Sequence, residues 1–197
     1  LFHDREEGPA VLQIDDTGAS PVARIFVIGG GVSGTPAVRN PQSLEAIDVS
    51  ALSPAPAWAR LADMHLPRTN VNGTLLPDGS FLALGGQRAG KWAADPQPVL
   101  QPEIYEPRTD TWTLMAAMQH PRQYHSNAVL LPDGRVLVAG GVDPSKGGPP
   151  ARDQRYLEVF SPPYLMKGPR PAITALPAAA GYGVNVDVTT PDEARID

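Results

Sequence analysis

The stretch Leu130-Leu131-Pro132-Asp133-Gly134-Arg135-Val136-Leu137-Val138-Ala139-Gly140-Gly141 decides the fold, because the chain repeats it. A second copy, Leu75-Leu76-Pro77-Asp78-Gly79-Ser80-Phe81-Leu82-Ala83-Leu84-Gly85-Gly86, begins at residue 75 and therefore lies 55 residues earlier. A shorter third copy, Arg24-Ile25-Phe26-Val27-Ile28-Gly29-Gly30, places its first Gly 56 residues before Gly85. A period of about 50 residues is typical of kelch repeats and is longer than that of helical repeats.

Each part of the repeated stretch has a local structural reason. Leu-Pro-Asp-Gly closes a tight hairpin, since Pro fixes φ near about −65° and Gly tolerates a positive φ at the end of the turn. The almost continuous apolar run that follows is typical of a strand covered on both faces. The Gly-Gly pair then ends the strand where two backbones approach closely.

The repeat predicts four strands, which together make one blade of a propeller. We expect the aromatic residues of the third and fourth strands, Trp58, Tyr105, Trp112 and Phe160, to be core residues. The predicted strands lie near 10–14, 24–29, 43–48, 57–62, 70–76, 80–85, 102–106, 111–116, 124–131, 135–140 and 156–161. They amount to about two and three-quarter four-stranded blades, which cannot close a ring, so we expect a fragment of a longer protein.

The composition agrees with an all-β fold and excludes several functions. The 197 residues include 19 Gly and 23 Pro, which favours many short strands joined by turns. With 16 Lys and Arg against 21 Asp and Glu, the net charge is −5, and no basic face for nucleic acid is predicted. No apolar run approaches the roughly 18 residues of a membrane span. The absence of Cys excludes a disulfide scaffold, a thiolate zinc site and a cysteine nucleophile within these residues.

Two domains are predicted, with residues 1–166 forming the last blades of a kelch propeller. Proline becomes dense after Phe160, in Ser161-Pro162-Pro163 and Gly168-Pro169-Arg170-Pro171, which ends the last blade and begins a linker. Two further short strands, 172–176 and 184–188, then open another β domain. Residues 167–197 are too few to complete that domain.

Tyr124 and His125 are the candidate functional residues, because they begin the innermost strand of the third blade and the repeat does not require them. The equivalent stretch of the second blade is Arg68-Thr69-Asn70. Side chains alternate along a strand, but at its first residues both rings could reach the centre of the propeller. A phenol oxygen beside an imidazole nitrogen suits Cu(II), which favours N and O ligands. The competing interpretation is a His that packs between blades.

Residues 75–172 resemble galactose oxidase and, more broadly, the copper radical oxidases that include glyoxal oxidase. The resemblance rests on pieces spread over about half of the chain. Besides the repeated stretch, they are Gly85-Gly86-Gln87-Arg88 with Gly90, Pro98-Val99, Pro102-Glu103-Ile104-Tyr105 with Asp110-Thr111, Tyr124-His125-Ser126, and Phe160-Ser161-Pro162-Pro163-Tyr164-Leu165 with Arg170-Pro171-Ala172-Ile173. Residues 1–60 resemble the family only as a blade.

The resemblance implies a seven-bladed propeller followed by an immunoglobulin-like domain, of which residues 167–197 would be the start. Tyr124 would be the axial copper ligand and the base that takes the substrate hydroxyl proton, and His125 would be one of two equatorial His ligands. The second His and a radical cofactor, a Tyr linked to a Cys, would lie outside this chain. The implied reaction oxidises a primary alcohol or aldehyde by two electrons and reduces O₂ to H₂O₂. These residues alone hold half of the protein ligands, so we expect the fragment alone to be inactive.

The loop after the second strand of the second blade is the candidate substrate contact, because it borders the same face as Tyr124. It contains Gln87, Arg88 and Trp92. The resemblance implies an aromatic wall for the substrate in this loop, and Trp92 lies one residue before the matching position, Ala93. This shift leaves the substrate open between galactose, another alcohol and a smaller aldehyde. Packing within the loop is the alternative role for Trp92.

These features together predict a secreted, monomeric oxidoreductase that uses copper, O₂ and a small-molecule or carbohydrate alcohol or aldehyde. Secretion is implied by the resemblance alone. The residues that follow Leu1 do not show the order of charged and apolar residues found in a signal peptide. The alternative function is a non-catalytic kelch propeller that binds carbohydrate or protein. A Cys and a Tyr in an earlier blade, with a His soon after Asp197, would favour the enzyme.

Overall fold

The computed structural model describes residues 1–2, 5–15, 18–31, 42–51, 54–88, 97–142, 154–168 and 172–190. Over these ranges the chain forms eleven strands, one short 3₁₀ helix at Pro163–Met166 and no α-helix, which confirms the all-β prediction. None of the helical residues in these ranges makes a segment long and apolar enough to cross a membrane. The chain divides into two compact units, Leu1–Phe160 and Ser161–Asp197.

The strands of the first unit form three antiparallel sheets in which neighbouring strands are consecutive in the sequence. Sheet 1 contains β1 (Ala10–Asp15), β2 (Val22–Ile28), β3 (Leu44–Asp48) and β4 (Trp58–Arg60). Sheet 2 contains β5 (Asn72–Leu75), β6 (Phe81–Leu84), β7 (Glu103–Glu106) and β8 (Thr111–Leu114). Sheet 3 contains β9 (Tyr124–Leu130), β10 (Val136–Val142) and β11 (Leu157–Phe160). Every strand that the repeat predicts in this unit is present.

The first strands of the three sheets lie side by side, with β5 in contact with both β1 and β9. The side chain of Asn72 on β5 donates from Nδ2 to Ser126 Oγ on β9 over 2.8 Å. Gln13 on β1 likewise reaches the turn between β5 and β6, where its Nε2 donates to the carbonyl of Gly79 over 2.6 Å. This order is the one expected of blades around a common axis, although the number of blades stays a prediction.

The core lies between sheets 1 and 2 and is mainly aromatic. Phe81 packs against Phe26, Tyr105 and Trp112, with ring centroids 5.0, 4.8 and 5.8 Å away. Tyr105 and Trp112 are buried as predicted, and the Trp112 Nε1 donates to the carbonyl of Ala62, in the segment that covers it, over 2.9 Å. Close packing of such rings contributes about 0.5–1.5 kcal/mol per pair beyond the apolar area buried.

Two of the predicted core rings are buried less than expected. Trp58 and Phe160 are only half-buried, so the expectation that they are core residues is corrected. Trp58 lies on β4 and Phe160 on β11, and each of these strands forms the edge of its sheet. The recurrence of an aromatic residue therefore marks the position in the repeat, while its burial depends on what covers that edge.

The second unit does not contain the two predicted strands at 172–176 and 184–188, and that expectation is corrected for the described residues 172–190. Its backbone pairing there is a bridge between Ala175 and Thr189, with Thr174 N donating to Thr189 O over 2.8 Å. Two strands by themselves make a sheet of marginal stability, because they bury little apolar surface. The side chains of Ile173 and Val184 are accordingly exposed.

Candidate functional site

An Arg–Glu ion pair recurs in every sheet and fixes the segment before its first strand. The pairs are Arg5–Glu45, Arg68–Glu103 and Arg122–Glu158. Each guanidinium also donates to the carbonyl of the first Gly in a Gly-Gly pair, namely Gly29, Gly85 and Gly140. In sheet 2 the two side chains are fully buried and 2.9 Å apart. Such a pair is destabilising to break, since Glu103 would then keep its buried negative charge with only the hydrogen bonds from His65 and Leu66.

The same Arg residues join neighbouring sheets through their backbone. Gly86 N donates to Arg122 O over 2.6 Å, and Gly30 N donates to Arg68 O over 2.9 Å. The contact with Gly86 brings the chains so close that a Cβ on the adjacent Gly85 would lie 2.4 Å from Arg122 O. A structural role for Arg68 and Arg122 is therefore confirmed, with the side chain acting inside one sheet and the carbonyl reaching the preceding one.

Burial and hydrogen bonding act in opposite directions on the pKa values of the residues in these pairs. Desolvation lowers the pKa of Arg68, and the hydrogen bond and charge of Glu103 oppose that shift. For Glu158, burial alone would raise the carboxyl pKa. Hydrogen bonds from the backbone of Gln119, the Arg122 side chain and the backbone of His120 outweigh it, so the Glu158 pKa is lowered. The carboxylate is thus the form that the fold stabilises.

Tyr124 and His125 directly follow this ion-pair frame and occupy the centre of a four-residue turn. Ser126 N donates to Gln123 O over 3.1 Å, which closes the turn. His125 has φ of +63°. A positive φ at the third turn residue is what a type II turn requires, and His tolerates it better than most residues with a side chain.

The left-handed residue is a feature of all three sheets. Glu7 and Asn70 have φ of 60° and 55° and stand at the position that His125 holds in sheet 3. The residue before each of them pairs with the residue that follows a Gly-Gly pair. These pairs are Glu6 with Gly31, Thr69 with Gln87, and Tyr124 with Val142. The repeat thus supplies the backbone of the site, while sheet 3 alone places a phenol and an imidazole on it.

The rings of Tyr124 and His125 lie together. Their centroids are 3.7 Å apart and their planes are inclined by 27°. Tyr124 is half-buried and His125 is exposed. The left-handed φ of His125 explains the arrangement, since regular strand residues would point to opposite faces. The two rings thus lie side by side, while their position at the centre of a propeller and their role as ligands stay predictions.

The pair offers a donor set that fits copper. It presents one phenol oxygen and one imidazole nitrogen from consecutive residues on a backbone fixed by a turn, and Cu(II) favours such N and O ligands. In the part of the chain that the structure describes, no group of three or more His, Cys, Asp or Glu side chains could hold a metal ion.

The predicted substrate residues fall in three different places. Gln87 is fully buried, and its Oε1 accepts a hydrogen bond of 3.1 Å from Gln123 Nε2. Arg88 is exposed, and its backbone N donates to Gln97 O over 3.1 Å. Trp92 lies outside the described residues. The structure therefore brings Gln87 to Gln123, the neighbour of Tyr124, and leaves Arg88 at the surface.

Gln123 was not predicted as a site residue, although the sequence contains a signal for it. Leu130 follows Arg122 by eight residues, whereas Leu75 follows Arg68 by seven. The extra residue lies between Arg122 and Tyr124, because Tyr124 pairs with Val142 as Thr69 pairs with Gln87. Gln123 is therefore the inserted residue, and its side chain is 1% exposed.

Comparison with known proteins identifies related sequences and a related structure. The family model described as glyoxal oxidase N-terminus matches residues 7–164. A galactose oxidase of Gibberella zeae is 39% identical over 102 residues, which cover 52% of this chain and 15% of that protein. The aldehyde oxidase GLOX of Vitis pseudoreticulata is 33% identical over 151 residues, which cover 71% of this chain and 28% of that protein. The chain thus spans less than a third of the length of these curated relatives.

The described fold also matches a solved structure. A fungal alcohol oxidase of the AA5 family, determined in complex with copper, aligns with a TM-score of 0.79 and 26% sequence identity. The alignment covers 96% of this chain and 39% of that one. The similarity in sequence therefore covers residues 7–164, and the structural alignment covers nearly all of the chain.

Proposed function

The chain belongs to the glyoxal oxidase N-terminus family, and on that premise we propose that it forms part of a copper-dependent oxidase. The enzyme would oxidise primary alcohols or aldehydes and reduce O₂ to H₂O₂. The observation that carries the proposal is the stacked pair of Tyr124 and His125, 3.7 Å apart, on a turn fixed by the repeated ion-pair frame. Relatives named as oxidases, and a similar structure in complex with copper, support it.

Tyr124 and His125 would hold the copper through the phenol oxygen and one imidazole nitrogen. Bound copper would supply one-electron chemistry, and the proposed Tyr–Cys radical cofactor would supply the second electron acceptor that a two-electron oxidation of the substrate by O₂ requires. Tyr124 Oη would be held as a phenolate by the nearby cation, and it would accept the proton of the substrate hydroxyl, which for an aldehyde is a hydroxyl of its hydrate. His125 would orient the site, because its backbone leaves the imidazole beside the phenol rather than across the sheet.

The substrate would be a small alcohol or aldehyde that meets the site from the exposed side of the rings. Arg88 is exposed at the start of the loop that contains Trp92, and these two residues are the proposed substrate contacts. Gln87 begins the same loop but is fully buried, so a supporting position is the better assignment for it. Charge at Arg88 would favour substrates with acceptor oxygens over apolar ones.

We also propose the larger architecture in which this site works. Residues 1–166 would be blades of a seven-bladed kelch propeller, and residues 167–197 the start of an immunoglobulin-like domain. The second His ligand and a Tyr–Cys radical cofactor would come from other parts of the complete protein, which would be secreted and monomeric. The side-by-side order of β1, β5 and β9 and the exposed apolar residues of the second unit support this arrangement.

The test is oxidase activity in the product of the complete gene. We expect copper-dependent release of H₂O₂ from a panel of primary alcohols and aldehydes, and a loss of at least a hundredfold in Tyr124→Phe, since general base catalysis contributes about 10²–10⁴-fold. The stacked pair His120–Tyr156, with centroids 4.1 Å apart, provides the matched control. Tyr156→Phe should leave the rate unchanged.

Two outcomes would contradict the proposal. Unchanged peroxide release in Tyr124→Phe would remove that residue from the chemistry. A correctly folded wild-type protein that neither binds copper nor releases peroxide from any substrate would point instead to the alternative, a non-catalytic kelch module that binds carbohydrate or protein.

A further inference from the structure

We propose that Gln123 and Gln87 are positioning residues, and that their buried amide–amide hydrogen bond holds the Tyr124–His125 pair against the start of the candidate substrate loop. This inference rests on the proposed function and assigns a role within that same site. Both side chains are buried, so both residues would act through Tyr124 and His125.

Gln123 closes the Tyr124–His125 turn with its backbone and bonds to the segment after β6 with its side chain. Its backbone carbonyl accepts the hydrogen bond from Ser126 N that closes the turn, over 3.1 Å. Its side chain leaves sheet 3 and donates from Nε2 to Gln87 Oε1 in the segment after β6, also over 3.1 Å. Tyr124 is the next residue, so any movement of Gln123 displaces the phenol directly.

Gln87 is a rigid partner for this contact. Its backbone exchanges two hydrogen bonds with Thr69, of 2.9 and 3.0 Å, and its side chain is fully buried. It directly precedes Arg88, the first exposed residue of the candidate substrate loop. The amide bond therefore joins the base of that loop in sheet 2 to the residue that precedes the phenol in sheet 3.

The chemistry of the pair favours a geometric role over a stabilising one. Gln123 is the residue that sheet 3 has in addition to the repeat, so the fold of the other two sheets forms without it. The Gln123 Oε1 is buried with no hydrogen-bond partner among the described residues. Burying an amide oxygen without a partner is unfavourable, and an apolar side chain would avoid it. The hydrogen bond between Gln123 and Gln87 is therefore better explained as fixing the orientation of Gln123 than as stabilising the fold.

The expected consequence of losing the contact is a looser donor set. Groups that orient metal ligands typically change metal affinity or activity by about 10–100-fold when they are removed. We therefore expect Gln123→Met to weaken Cu(II) binding by about tenfold or more. The same substitution should lower kcat with a smaller change in KM for a small alcohol, because the substrate contacts themselves remain.

The experiment uses the product of the complete gene and four variants: Gln123→Met, Gln87→Met, the double Met variant and Gln13→Met. Gln13 is the matched control, since its amide is also buried and also joins two sheets, but at the Gly79 turn, the opposite end of the first strands. Cu(II) affinity is measured by competition with a chelator, and the geometry of bound Cu(II) by electron paramagnetic resonance. Thermal unfolding of the copper-free proteins reports the fold.

The proposal predicts that both single variants and the double variant shift the Cu(II) spectrum and weaken binding alike, while Gln13→Met does not. The double variant keeps the experiment decisive if a single variant unfolds, because replacing both partners of a hydrogen bond by apolar groups is close to neutral for stability. Wild-type spectrum and affinity in a folded double variant would overturn the inference. Tyr124→Phe, measured alongside, separates the two proposals. If it binds copper and turns over like wild type, the proposed function itself fails. If it is impaired but the Gln variants behave like wild type, only the positioning role fails.

Discussion

The Tyr124 and His125 rings stack 3.7 Å apart although the two residues are consecutive at the start of a strand. The cause is the left-handed backbone of His125, whose φ of +63° cancels the usual alternation of side chains. The same backbone holds Asn70 in sheet 2, where no ring is present. A structural feature of the repeat has therefore been used to place two ligand-type side chains together.

The backbone at His125 should decide which replacements are tolerated. Asn adopts a positive φ readily, as Asn70 does, so His125→Asn should leave the free energy of unfolding within about 0.5 kcal/mol of wild type. A β-branched residue does not, and His125→Val should destabilise the protein by about 1–2 kcal/mol. Urea unfolding of the copper-free protein measures both. Equal stability of the two variants would show that the left-handed conformation does not constrain this site.

The buried Arg68–Glu103 pair should be essential to the fold of sheet 2. Arg68→Met removes the guanidinium partner of the buried Glu103 carboxylate, which keeps only the hydrogen bonds from His65 and Leu66, and breaking a buried pair in this way costs up to about 3–5 kcal/mol. The exposed pair Arg60–Asp63, with nitrogen and oxygen 2.9 Å apart, is the control. Arg60→Met should change stability by less than about 1 kcal/mol, since exposed pairs contribute little. Denaturant unfolding should separate the two variants clearly, and similar values would contradict the account of the frame.

Stability should depend on pH through Glu158. The pKa of this carboxyl is lowered in the folded state, so unfolded Glu158 binds its proton more tightly. The carboxylate therefore stabilises the fold fully above its ordinary pKa of about 4.5, and this contribution is lost as the pH falls below that value and through the lower folded pKa. Glu158→Gln should flatten the part of the acid limb of the unfolding curve that lies below about pH 4.5. An identical acid limb in the variant would refute the assignment.

The close approach of sheets 2 and 3 should make Gly85 irreplaceable. Gly85 and Gly79 both have positive φ, of 68° and 84°. A Cβ on Gly85 would lie 2.4 Å from Arg122 O, whereas the nearest atom to one on Gly79 would be Gln13 Nε2 at 3.5 Å. Ala at either position carries the left-handed cost of about 1–2 kcal/mol, and Gly85→Ala adds a backbone clash. Thermal unfolding should show a larger loss for Gly85→Ala, and equal losses would argue against the contact.

Much of the fold could be predicted because its signals are local. The Leu-Pro-Asp-Gly turns, the apolar runs and the Gly-Gly pairs are each explained within a dozen residues. Together with the aromatic segments that recur later in the repeat, they predict the eleven strands that the first unit contains. The burial of individual side chains was harder to predict from the sequence. Trp112, Trp58 and Phe160 all lie on edge strands, and Trp112 is buried because the segment around Ala62 covers it. The two strands predicted after residue 171 failed for the same reason, because apolar runs form strands only when a sheet completes them.

The sequence singles out candidate residues for the site but does not show their geometry. Tyr124 and His125 stood out because the repeat does not require them. Whether their rings meet depends on a left-handed φ, which the sequence shows only indirectly through Asn70 at the equivalent position. Gln123 was overlooked because a one-residue insertion is visible only when the two repeats are aligned from both ends. Its partner Gln87 was expected to contact substrate, and the structure shows that its side chain is fully buried.

Copper titration of the complete gene product tests the central claim most directly. The protein, its Tyr124→Phe and His125→Asn variants, and the control Tyr156→Phe would each be titrated with Cu(II) after removal of bound metal. The account predicts about one tightly bound copper in wild type and control, and an affinity at least about tenfold weaker in the two site variants, whose fold should be preserved. Equal copper affinity in all four proteins would contradict it.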